Sequence, residues 1–293
     1  MASRMSKKLY DAMPDYNFKD FDPTIMEQYT RKTIKTDSAG ISVIIFGSRG
    51  RGKSVCMRYL VYSLRKSWDE VYLFSETSQL QPKTYEYIPK DHQFSEFAVD
   101  KLSELIERQK EDVNHKIENK QEDKIQHLLF LFDDVISNPK IRSTPAFNSL
   151  FTLGRHIRIS VIILTQCYGG RDGVGKAARN NIDLTISFFP QNVVDREAIV
   201  DQYLSTENSK YGEEILRQIT SEDYCAIAIV GRKPAMNYED YVFKLKAPLK
   251  VPAFIIGKKP SNVIVKNFNI RDRGLNFNQN KFILNTEEEE END

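Results

Sequence analysis

The segment "GSRGRGKS", Gly47 to Ser54, has glycine, four residues, glycine, lysine and then a hydroxyl, the spacing of a loop that wraps a nucleotide phosphate. Gly47, Gly50 and Gly52 let the backbone curl around Ser48, Arg49 and Arg51 so that successive N–H groups point inward. A helix opening at Lys53 and Ser54 adds the partial positive charge of its N-terminus. Lys53 would reach the β and γ oxygens of ATP, and the Ser54 hydroxyl would ligate Mg2+. A second stretch, "GRDGVGKA" at Gly170 to Ala177, repeats the glycine and lysine spacing. It puts Ala177 where the hydroxyl belongs, and Thr165, Gln166, Cys167 and Tyr168 separate it from the preceding apolar run. The first stretch is therefore the expected nucleotide site.

Such a loop needs a carboxylate from a neighbouring strand to hold the cation opposite the serine, and a group to orient the attacking water. "HLLFLFDD" supplies an apolar run ending in Asp133 and Asp134, 80 residues after Lys53. Asp133 is the expected magnesium partner, and Asp134 the group that polarises water. The division of labour between the two acids stays open. The next apolar run, "SVIILTQ", ends in Gln166, placed to touch both the γ-phosphate and the water.

These side chains have to be delivered by strand ends. Short apolar runs rich in β-branched and aromatic residues occur at Ile41 to Phe46, Val71 to Phe74, Leu128 to Phe132, Ser160 to Leu164, Leu184 to Phe188 and Tyr224 to Val230. Continuous apolarity predicts strands buried on both faces of a parallel sheet. Helices are expected at Val55 to Lys66 and from Phe97 to about Gln121. In the second of these, Leu102, Leu105, Ile106, Val113 and Ile117 fall near one face. Alternating strands and helices give a doubly wound or related α/β fold with a mostly parallel central sheet flanked by helices, and the phosphate loop makes the P-loop NTPase type the expected one. Residues 1–40 read as an N-terminal arm with a short helix near Pro23 to Arg31, and residues 41–256 as the ATPase domain. Tyr241 to Leu245 and Val251 to Ile256 are expected as edge strands. Residues 257–293 read as an extension of Asn-rich loops and an acidic, disordered tail.

The chain of 293 residues carries a net charge of +1, and six acids crowd into residues 287–293, leaving the body with a surplus of seven positive charges. That balance is compatible with a polyanionic partner. Cys56, Cys167 and Cys225 are odd in number, far apart and read as free thiols in a reducing compartment. With no leader-like segment and no apolar run of membrane-spanning length, the expected location is the cytosol, the nucleoplasm or the inside of a particle.

Taken in order and spacing, "GSRGRGKS", "LFLFDD", "LGRHIRISVIILTQ" and "NNIDLTISFF" resemble the genome-packaging ATPases of large double-stranded-DNA viruses. These form the poxvirus-type group within the FtsK–HerA superfamily, and the resemblance covers about residues 41–230. It implies a RecA-like or FtsK–HerA-like core and a homo-oligomeric ring, pentameric or hexameric, with ATP between neighbours. It further implies transport of duplex DNA into a capsid through a capsid or portal-like partner. Such motors place an arginine from the adjacent subunit at the γ-phosphate; Arg155 and Arg196 are the two candidates, and Arg196 matches an arginine that follows the corresponding strand. Where the superfamily usually has glutamate as the second acid, this chain has Asp134.

On this reading the second glycine loop, one loop beyond Gln166, displays Arg171, Lys176 and Arg179 and is suited to grip a phosphate backbone. A solvated surface loop is the plainer alternative. Two other functions fit a phosphate loop: a P-loop kinase of a nucleotide or other small molecule, and a nucleotide-binding structural subunit. A GTPase switch is disfavoured because no Asn-Lys-x-Asp motif is present.

Overall fold

The computed structural model describes residues 16–31, 39–80, 82–94, 99–135, 141, 143–169, 173–205, 209–232, 237–256, 263–272 and 275–284. Its strands are β1 (Ser42–Phe46), β2 (Glu70–Ser75), β3 (Gln93–Phe94), β4 (Leu128–Asp133), β5 (Ile159–Thr165), β6 (Leu184–Phe188), β7 (Cys225–Val230), β8 (Val242–Lys246), β9 (Val263–Asp272) and β10 (Leu275–Leu284). The helices are α1 (Glu27–Thr30), α2 (Lys53–Ser63), α3 (Val99–Glu118), α4 (Pro145–Leu153), α5 (Lys176–Arg179), α6 (Val193–Ile199), α7 (Ser209–Ile219) and α8 (Tyr238–Tyr241).

The main sheet has the order β3-β2-β4-β5-β1-β6-β7-β8. The first six strands run parallel, while β7 pairs antiparallel with β6 and β8 antiparallel with β7. Continuous apolar runs translate into double-sided burial, since every residue of β1, β5 and β6 is buried. Alternate residues then serve opposite layers. Ile44, Phe46, Phe130 and Phe132 pack with Leu102 and Leu105 of α3, whereas Val43, Ile45, Leu129 and Leu131 pack with Cys56, Met57 and Leu60 of α2. Burial pushes the Cys56 thiol up to about 12, so it sits in this layer as a small apolar residue.

Three expectations fail on packing. Ile117 is half exposed, whereas Leu102, Leu105, Ile106 and Val113 of the same helix are buried. Val251 to Ile256 forms no strand; Phe254 and Ile256 instead bury themselves in the α2 layer, with Phe254 stacked on Tyr87. The stretch read as Asn-rich loops contains an antiparallel hairpin, β9 with β10, registered from Leu275 opposite Asp272 to Leu284 opposite Val263. The alternation of Asn with Phe, Ile and Leu on both sides of Gly274 is the period-2 pattern that this hairpin needs. The acidic tail lies outside the described residues.

The described part of the N-terminal arm lies along β8, where the Phe21 amide donates to the Lys244 carbonyl at 2.7 Å and Lys244 returns a bond to Lys19. Among the described residues no helix is long and apolar enough to cross a membrane.

Candidate functional site

Parallel strands deliver all their C-terminal ends to one edge of the sheet, and β1, β4 and β5 lie side by side there. The loop from Gly47 to Gly52 leaves β1 at that edge and enters α2 directly at Lys53. Gly52 has φ +98, a left-handed conformation that turns the chain into the helix and that side chains disfavour. Gly47 is required by contact instead: a β-carbon there would lie 2.9 Å from Cβ of Phe188 on neighbouring β6. Ser48 is half-buried, and Arg49 and Gly50 are exposed at the tip of the loop. Arg51 reaches back to within 4.0 Å of Asp223. The Lys53 ammonium lies inside the curl and donates to the carbonyls of Gly47, at 2.7 Å, and Ser48, at 3.2 Å.

Asp133 ends β4 and Asp134 follows it with φ +59, which turns the second carboxylate away from the strand and into the open. Gln166 stands just past the end of β5. Its Nε2 donates to both Asp134 oxygens, at 3.0 and 3.1 Å. Strand pairing thus joins two residues 32 positions apart. Burial raises the Asp133 pKa; a hydrogen bond from the Tyr85 hydroxyl pulls it down, the Asp134 charge pushes it up, and the Lys53 charge opposes that rise. Burial likewise lowers the Lys53 pKa, against the attraction of Asp134 and Asp133. The one cation and two carboxylates therefore feel one another, which suits a site built for a charged ligand.

Ser54 in the first turn of α2 and Asp133 at the end of β4, one strand removed from β1, offer oxygen donors only, the donor type that Mg2+ takes. Tyr85, fully buried between β2 and β3, was invisible in the sequence because nothing in "KTYEYIP" marks one tyrosine over another. Its position beside Asp133 exists only after the chain is folded.

The second glycine loop starts where β5 stops and is pinned at its root. Asp195 Oδ1, on buried Asp195 of α6, accepts from the amides of Tyr168, at 2.9 Å, and Gly169, at 2.8 Å. Arg171 lies outside the described residues. Lys176 is exposed at the start of α5, whereas Arg179 turns inward over the Tyr168 ring at 5.3 Å.

The two arginines proposed for a neighbouring site differ sharply in setting. Arg155 lies at the opposite edge of the sheet, its carbonyl bonded to the Ala39 amide, beside a polar cleft that also holds Ser42, Asp183 and Arg232. Arg196 folds back on its own chain, donating to the carbonyls of Pro190 and Gln191 at 3.1 Å each and lying 3.7 Å from Glu213. Neither joins Lys53 in the same chain.

Several known proteins are similar to this chain. Uncharacterized protein 015R of Frog virus 3 (isolate Goorha) is 25% identical over 221 residues, 74% of this chain and 65% of that protein. The chain therefore spans just under two thirds of that relative's length. Uncharacterized protein 088R of Invertebrate iridescent virus 3 is 26% identical over 216 residues, covering 73% of this chain and 78% of the relative. Among solved structures, the pCW3 conjugation coupling protein TcpA, in its monomer form with ATPgS, aligns with TM-score 0.50 and 12% identity. That alignment covers 80% of this chain and 70% of TcpA, a likeness of fold. The genome packaging NTPase B204 from Sulfolobus turreted icosahedral virus 2 aligns with TM-score 0.48 and 15% identity over 71% of this chain and 98% of B204. Residues 26–218 match the family described as Poxvirus A32 protein, a stretch that contains the phosphate loop, the acid pair, Gln166 and Arg196, and the chain belongs to that family.

Proposed function

We propose that this chain is an ATP-hydrolysing double-stranded-DNA translocase that packages a viral genome into a capsid. The observation that carries the reading is the convergence of Lys53, Asp133, Asp134 and Gln166 on one sheet edge, with the Gln166 amide on the Asp134 carboxylate. Membership in the family described as Poxvirus A32 protein supports the reading.

ATP binds with its β-phosphate in the curl of Gly47 to Gly52, where backbone amides and the α2 N-terminus face it. Lys53 exchanges its loop carbonyls for β and γ oxygens. Ser54 and Asp133 are the residues that would hold Mg2+, which when bound neutralises charge on the phosphate oxygens. Asp134 draws a proton from the attacking water, and Gln166 holds that water and Asp134 in one arrangement. Because Gln166 stands at the reacting region and Cys167, Tyr168 and Gly169 follow it, hydrolysis at the edge is passed into the second glycine loop through a short segment pinned at Tyr168 and Gly169. Arg171 and Lys176 contact DNA without sequence preference. Arg179 supports the loop through Tyr168.

The chain works as a homo-oligomeric ring docked on a capsid component, in the host cytoplasm or on the virion, with Arg155 or Arg196 acting on the neighbouring subunit's γ-phosphate. Arg196 would first have to release Pro190, Gln191 and Glu213, a requirement that Arg155 does not share.

The test is ATPase activity with and without double-stranded DNA, for the wild type and Lys53→Ala, beside a mass measurement of the assembly. DNA-stimulated turnover that vanishes in Lys53→Ala is expected. Turnover indifferent to DNA but raised by a small phosphoryl acceptor would select a kinase. Negligible turnover in every condition would select a structural subunit.

A further inference from the structure

The phosphate end of the site is accounted for; the base end is not. The sheet order sets the direction in which the rest of a nucleotide must run. The carboxylates and Gln166 stand on β4 and β5, on one side of the β1 loop, so the γ-phosphate points that way. The α-phosphate, ribose and base must then leave toward the other side, over β6 and β7. One feature of that side is otherwise unexplained. Tyr224, the residue before β7, has φ +63, a left-handed backbone that a bulky side chain rarely adopts. The residue is 55% exposed, yet its ring leans on the phosphate loop, and a β-carbon on Gly52 would lie 3.4 Å from ring atom Cδ1.

Strands lie roughly 4.8 Å apart, so Tyr224 stands about two strand spacings, roughly 10 Å, from the loop's parent strand. The ring reaches back across that spacing to Gly52 and so flanks the loop on the side away from the carboxylates. The turn is tied to the loop a second time by the approach of Arg51 to Asp223. A strained backbone that keeps a large aromatic face in water beside a ligand loop calls for an occupant. Buried Phe188, beneath Gly47 and Gly52, has no such face to offer.

We propose that Tyr224 is the base platform of the nucleotide site, stacking its exposed face on the base of ATP. The proposal rests on the reading of Gly47 to Ser54 as a triphosphate loop. Stacking depends on a π face and not on hydrogen-bond pattern, so the platform tolerates other purines.

The experiment compares ATP with inorganic tripolyphosphate, which has the phosphates and lacks the base, on full-length wild type, Tyr224→Ala, Tyr224→Gly and Tyr224→Trp. Glycine accepts the left-handed backbone and so removes the ring without strain. Affinity for ATP is expected to fall about 5- to 150-fold in both the alanine and glycine variants. Tripolyphosphate affinity should stay at the wild-type value in both, and tryptophan should restore ATP binding. Equal losses for ATP and tripolyphosphate would show that the ring only props the loop, and unchanged ATP affinity would place the base elsewhere; either result overturns the proposal alone. A wild type that binds neither ligand would defeat the triphosphate reading with it.

Discussion

Replacing Asp134 by asparagine separates the chemistry of the site from its architecture. Asparagine has the same shape and tolerates the left-handed φ of +59 found at this position. Its amide can still pair with Gln166, since both side chains carry a donor and an acceptor. What disappears is the ability to take a proton. A positioned general base contributes about 10²- to 10⁴-fold, equivalent to about 2.7–5.4 kcal/mol of barrier at 1.36 kcal/mol per tenfold. The altered bonds are exposed and contribute about 1 kcal/mol at most, so the melting temperature should move by no more than about 4 °C. Single-turnover release of γ-phosphate at saturating ATP measures the chemical step without binding. The expected result is ATP affinity near that of the wild type and a hydrolysis rate lower by about 10²- to 10⁴-fold. Asp134→Gly, which relieves the backbone and removes the carboxylate, should be as slow as the asparagine variant. Near-normal hydrolysis in Asp134→Asn with a large loss in Asp133→Asn would refute the assignment and exchange the roles of the two acids.

Three further substitutions probe what holds the site. Gly47→Ala forces a β-carbon to within 2.9 Å of Phe188 Cβ and 3.1 Å of its Cδ2; an overpacking cost of about 1–3 kcal/mol should lower the melting temperature by roughly 2–12 °C and weaken ATP binding, and an unchanged melt would mean the contact does not shape the loop. Asp195→Ala strips two buried amides of their acceptor at about 1–3 kcal/mol each, so a clear loss of stability is expected by denaturant titration, with partial rescue by Asp195→Asn, which keeps an acceptor oxygen. Because burial raises the Asp133 pKa above 3.8, its ionised form opposes folding, and its favourable contribution is present only below that value and is lost as pH rises through the raised one. Asp133→Asn should therefore melt higher than the wild type at pH 7 without nucleotide, with the gap closing toward pH 4; a wild type that melts higher at pH 7 would show that Tyr85 and Lys53 outweigh burial.

The residues that do local work were legible because local geometry dictates their type. Only glycine fits at Gly47 and Gly52, and a lysine and hydroxyl must open the helix behind them. The buried strands were legible because double-sided burial leaves unbroken apolar runs, as in β1, β5 and β6. The hairpin of β9 and β10 was present as an alternation but was masked by its asparagines, which read as turn formers when counted by composition. Val251 to Ile256 failed in the opposite sense: its apolar residues pack as irregular chain against Tyr62 and Tyr87 and take no strand partner among the described residues.

By itself, then, the sequence carried the glycine, lysine and hydroxyl spacing of the first loop, the acid pair closing one apolar run and the glutamine closing the next, because each depends on neighbours a few residues away. The tertiary structure decided what depends on neighbours far along the chain: Tyr85 on Asp133, Asp195 at the root of the second loop, Arg196 drawn back to its own carbonyls, and Tyr224 against Gly52. Those relations follow from the order in which strands pair, and strand order is set by the packing of whole faces and not by any short run of residues.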